Sequence, residues 1–147
     1  MKNLVLGTLT VLLILAGGCR QKQSEVKLTD HPWRLTALNV DKKDVVLPKD
    51  TITVEFDTTG RVAGFSGCNR YFGKYSSASD KNLNIEVVGS TMAMCPDIET
   101  EDQFIRVLDN STTFSIEKGV LTVSDENTGN YAAFAGMEDP AAKTSNQ

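Results

Sequence analysis

Apolar residues in this chain recur at every second position, and that period limits the folds open to it. Across residues 51–57, Ile52, Val54 and Phe56 alternate with polar neighbours, as one face of a half-buried strand requires. The same alternation runs through 33–37, 83–87, 114–117 and 121–123. Segments 61–66 and 69–75 also read as strands, with Gly64 and Gly73 marking bends or bulges. Turn residues lie between them: Asp57-Thr58-Thr59-Gly60, Glu117-Lys118-Gly119 and the stretch from Asp125 to Asn130. Short strands joined by such turns predict an antiparallel meander, closed as a barrel or folded as a sandwich.

Only residues 100–110 break the period. Phe104, Ile105, Val107 and Leu108 fall at helical spacing, which predicts one α-helix with a Phe104/Leu108 stripe against the sheet. Thr100 and Gln103 have the spacing of a capping box, and Glu101 and Asp102 would lie in the first turn, where the helix dipole favours anions. Pro96 bars the residues before it from starting the helix earlier. After Ala135 the sequence has no period, so 136–147 is expected to be a loose tail.

The N-terminus predicts an exported protein. Lys2 precedes an apolar stretch from Leu4 to Ala16, too short to span a bilayer but suited to a signal peptide. Leu15-Ala16-Gly17-Gly18-Cys19 resembles the bacterial lipobox, with Ala16 where Leu is usual. The resemblance implies cleavage after Gly18 and lipidation (diacylglycerol and an acyl chain such as palmitate) of Cys19. Several acyl chains hold a protein to a bilayer where one binds only reversibly. Residues 19–31 are polar up to Asp30 and read as a flexible tether, leaving 32–135 as the folded domain. Arg20 after the cysteine implies, by analogy with such lipoproteins, outer-membrane placement facing the periplasm.

With 147 residues, the chain has room for one core and not two. Its net charge of −4 and lack of a Lys/Arg cluster argue against nucleic acid as a partner. Setting Cys19 aside leaves Cys68 and Cys95. In an oxidising compartment such a pair becomes a structural disulfide; free buried thiols, or a redox or metal pair, are the alternatives. Enzyme templates fail on inventory: His31 is the sole histidine, beside Pro32 and outside the periodic core, where an exposed linker histidine is expected. The carboxylate pairs Asp97/Glu99 and Glu101/Asp102 lack the pattern of a calcium loop, and no phosphate-binding motif occurs. We therefore expect no catalytic residues, no metal and no cofactor. The most chemically loaded stretch holds Asn69, Tyr71 and Tyr75 on one strand face. Gly73 between the two tyrosines would leave a shallow gap for a peptide or small ligand; the plainer reading has the rings filling the core and Asn69 bonding a turn backbone.

Gly67-Cys68-Asn69-Arg70-Tyr71-Phe72-Gly73-Lys74-Tyr75, followed by Thr91-Met92-Ala93-Met94-Cys95 and by Glu101, Phe104 and Leu108, resembles the META/HslJ family. Trp33-Arg34-Leu35 and Leu121-Thr122-Val123 extend the likeness over roughly 32–135. The resemblance implies a small lipocalin-like β-barrel with one helix, common in bacterial envelope lipoproteins, some associated with heat or antibiotic stress. It carries no catalytic residues. The expectation is a non-enzymatic envelope lipoprotein with a binding or scaffolding role, its envelope partner unknown. The alternatives are carriage of a small apolar ligand in the barrel, or an inhibitor- or chaperone-like partnership.

Overall fold

The computed structural model describes residues 26–137. Cys19, the leader and residues 138–147 lie outside them. In chain order the strands are β1 (Trp33–Val40), β2 (Lys43–Asp44), β3 (Thr53–Phe56), β4 (Arg61–Phe65), β5 (Arg70–Ser76) and β6 (Asn84–Ser90). Helix α1 (Ile98–Asp109) follows, then β7 (Thr113–Glu117), β8 (Val120–Ser124) and β9 (Tyr131–Gly136). All pair antiparallel in the order β6-β5-β4-β3-β1-β9-β8-β7, with β2 folded back on β1. The expected barrel is realised as a curled half-barrel. Its two edges meet at one end, where Asn82 bridges Thr113, Leu83 N–H donates to Thr112 and Phe114 N–H donates to Lys81.

The alternation holds because one face of each strand is buried: Val54 and Phe56 in β3, Leu121 and Val123 in β8. Helix α1 fills the open side of the curl, contacting β6, β8, β9 and β1. Phe104, Val107 and Leu108 are its buried apolar stripe, with the Phe104 ring edge-on to Tyr71 and Phe134 at 5.8 and 6.2 Å. Each large side chain so buried contributes about 1.5–3 kcal/mol.

Three expectations are corrected. The helix starts at Ile98, so Thr100 lies inside its first turn; the N-cap is Asp97, and no side chain makes a capping hydrogen bond. The folded unit also begins before 32: Leu28 is buried and its carbonyl accepts from Trp33 Nε1 at 2.9 Å, closing the turn at 27–30 onto the core. His31 is accordingly half-buried, its ring 4.3 Å from that of Trp33 and packed over Gly136, where a Cβ would collide with it. Finally, the periodicity missed β9, which sits between β1 and β8, and the β1–β2 hairpin.

Two turns are built around carboxylates. Asp57 Oδ1 accepts from Thr59 Oγ1, Thr59 N–H and Arg61 N–H; Asp125 accepts from Thr128 Oγ1 and Asn127 N–H. The Thr59 hydroxyl, then the Arg61 amide, hold Asp57 below the usual value of 3.8, and the Thr128 hydroxyl with the Asn127 amide does the same for Asp125. A depressed folded-state value means stability that is present above the unfolded-state value and lost as pH falls through the folded one. We therefore expect urea resistance to hold down to about pH 5 and then to drop as the pH falls through and below the usual carboxylate range. Asp57→Asn and Asp125→Asn, which keep an acceptor but cannot ionise, should each flatten that loss; an unchanged acid profile would contradict the assignment.

Candidate functional site

The hairpin between β4 and β5 turns on Gly67, whose φ of +96° is open to glycine and strained for other residues. Ser66 N–H donates to the Asn69 carbonyl at 2.8 Å, closing the turn with both Cys68 and Asn69 buried. Cys68 is joined to Cys95 by a disulfide, with Cα atoms 5.8 Å apart. The bridge fixes the loop after β6 to the turn before β5. Closing a loop of this length contributes about 3–4 kcal/mol in the chain-entropy account.

Asn69 is 2% exposed, and every polar atom of its side chain is used. Its Nδ2 donates to Glu101 Oε1 at 2.9 Å and to the Ala93 carbonyl at 3.2 Å. Its Oδ1 accepts from Ala93 N–H at 2.7 Å and from Thr91 Oγ1 at 2.8 Å. The side-chain amide thus pairs with both backbone groups of Ala93, as a neighbouring strand would. Glu101 closes the arrangement from α1: its Oε2 accepts from Asn69 N–H at 2.8 Å, and Ser66 Oγ lies 2.7 Å from it. A carboxylate at 7% exposure needs such donors, and its place in the first turns of a helix adds the favourable end of the dipole.

Of the residues singled out as a ligand surface, only Asn69 joins this constellation. Tyr71 is fully buried, donates to the Thr53 carbonyl at 2.9 Å, and has its phenol pushed well above its usual range by burial. Tyr75 donates to the Asp57 carbonyl at 2.7 Å and packs edge-on to Phe56; burial, then the Asp57 charge, raises its phenol. The gap expected at Gly73 is occupied by the Glu86 backbone, with which a Cβ there would collide. Glu101 and Asp102 form no working pair, since Glu101 is buried and Asp102 exposed. Hollows among the described residues open at the surface; one of about 430 Å³ lies between the β1–β2 hairpin and α1, lined by Val40, Val46, Glu99 and Gln103.

One feature escaped the sequence reading. Residues 87–96 contain no charged side chain in a chain that is 23% charged. The structure places this run along the end strand of the sheet and the segment after it. Val87 N–H on this edge is covered by Asp109 of α1 at 2.7 Å, but Val88, Met92 and Met94 are 53, 94 and 92% exposed. Thr91, Ala93 and Cys95 are tied inward, so the intervening methionines face solvent on a held backbone. The absence of charge over ten consecutive residues was the available signal.

If Glu101 and Asn69 organise this region, Glu101→Gln turns one carboxylate oxygen into a donor facing another donor. We expect a loss of about 1–3 kcal/mol in chemical denaturation. Cys68→Ser should cost about 2–5 kcal/mol. Wild-type stability in either variant would contradict the geometry.

The chain matches the META domain family over residues 26–138. Among solved structures, it is similar to a DUF4847 family protein from Bacteroides vulgatus, with 14% identity over 76% of this chain and 96% of that one, and a TM-score of 0.60. It is also similar to a protein from Burkholderia xenovorans solved by NMR, with 26% identity, 76% and 85% coverage, and a TM-score of 0.61. No curated protein matches it significantly. The match spans most of the chain and contains every strand, the helix and the Asn69–Glu101 cluster: the protein belongs to the META domain family.

Proposed function

We propose that this is a non-enzymatic lipoprotein of the bacterial envelope, held to the outer membrane through Cys19, whose domain binds an extended segment of a partner protein along residues 87–96. One observation carries the reading: the uncharged run 87–96, on the last half of the end strand and the segment after it, exposes Val88, Met92 and Met94. Soluble proteins ordinarily protect a sheet edge with charge, proline or a covering element. Here Asp109 of α1 caps the Val87 N–H, while Val88 beyond it is 53% exposed. A strand added beyond it would gain backbone hydrogen bonds and cover the alternate apolar side chains, the mode of recognition in strand addition. The absence of charge selects an uncharged extended segment.

Packing favours surface binding over carriage of an apolar ligand inside. The centre of the curl is filled by Trp33, Tyr71, Phe104 and Phe134, each at 2% exposure or less. Carriage would need those rings to leave. A role in heat or antibiotic stress is compatible with an envelope binding module.

The test places a photoreactive side chain at Met92 in the full, membrane-anchored chain and, separately, at exposed Lys118 on the far hairpin. A discrete protein adduct at 92, lost when Met94→Glu is added and absent at 118, is expected. Equal labelling at both positions, or an adduct of two copies of this chain alone, would contradict partner binding. In the same cells Cys19→Ser should move the protein from the membrane to the soluble fraction; persistent sedimentation with membranes would remove the anchor from the account.

A further inference from the structure

Methionine sulfur reacts with two-electron oxidants in proportion to its access to solvent. Of the three methionines among the described residues, Met137 is 37% exposed, whereas Met92 and Met94 stand at 94 and 92%. Neither of these two packs against the buried core. Their backbone is nonetheless held: Thr91 N–H donates to the Arg70 carbonyl, Asn69 grips both backbone groups of Ala93, and Cys95 is bridged to Cys68. None of those anchors uses a methionine side chain. The segment therefore keeps its shape whatever happens to the two sulfurs.

We infer that Met92 and Met94 form a paired site of reversible oxidation, modified by hypohalous acids or peroxides without unfolding the domain. With hypochlorous acid, each thioether sulfur gives up two electrons and gains the oxidant's oxygen, forming the sulfoxide, while chlorine leaves as chloride and the proton is released. A dithiol reductase reverses the step, taking the oxygen away as water as its two thiols join in a disulfide. The sulfoxide oxygen enters solvent rather than a core, so the polar group carries no burial penalty. What changes is the surface: two flexible apolar side chains become polar ones at the middle of the uncharged edge. The chemistry stands whether or not that edge binds a partner, because mass alone reads it.

The experiment exposes the intact chain to increasing hypochlorous acid and follows each methionine by peptide mass spectrometry, with thermal melting of the same samples. Met92 and Met94 should gain one oxygen each about two- to threefold faster than Met137, in line with their exposures of 94, 92 and 37%. The doubly oxidised protein should melt within about 2 °C of the untreated one. In strong urea the three rates should converge, since the preference comes from the fold. Oxidation of Met137 at a rate equal to the pair, a preference that persists in urea, or a melting point lowered well beyond that margin would each overturn the inference.

Discussion

A carboxylate taken out of water must be surrounded by donors, and at Glu101 those donors come from the turn that starts β5. That requirement ties the helix to the sheet in a way apolar packing cannot. Phe104, Val107 and Leu108 make α1 adhere to the curl, but a greasy stripe tolerates sliding and small rotations. Hydrogen bonds to Asn69 and Ser66 fix where along the stripe it stops. The net gain from such bonds is modest, about 1–3 kcal/mol for each bond to a charged group, while an unmatched buried charge costs more. The cluster therefore selects an arrangement more than it supplies bulk stability.

Asn69 passes that constraint outward. Because its amide serves as a surrogate strand for Ala93, the segment after β6 continues the sheet without a real neighbour strand on its inner side. The disulfide secures the far end of the same segment. A loop that would otherwise be mobile is held with its apolar residues outward, a state whose ordering entropy has been met before any partner arrives. The binding and oxidation readings both rest on this held edge, at different atoms: one on the strand's open side, the other on the two sulfurs.

Much of the fold was legible because alternation in 51–57, 83–87 and 121–123 reports burial of one sheet face directly. Strand β9 was not. Its Tyr-Ala-Ala-Phe-Ala sequence carries alanines on both faces, which give no contrast, although β1 and β8 enclose it. The β1–β2 hairpin hid for another reason: Asp41 and Lys42 adopt φ of +52° and +64° without a glycine, and the Asn130 side chain that bonds Asp41 N–H lies 89 residues away. At the site, Asn69 was visible as a polar residue in a loaded stretch, but its partner was not. Glu101 looks in sequence like any acidic residue in a first helical turn, and only the tertiary fold brings it to Asn69. A local rule explained it well enough to conceal its second use.

The central claim is that Asn69 and Glu101 act as one unit in docking the helix. A double-mutant cycle with Asn69→Ala, Glu101→Ala and the pair, read as unfolding free energy in urea, measures it directly. The account predicts a coupling energy above about 1 kcal/mol, the double variant losing less than the sum of the singles. Additive losses would mean that the two side chains stabilise the fold independently, and that no such unit exists.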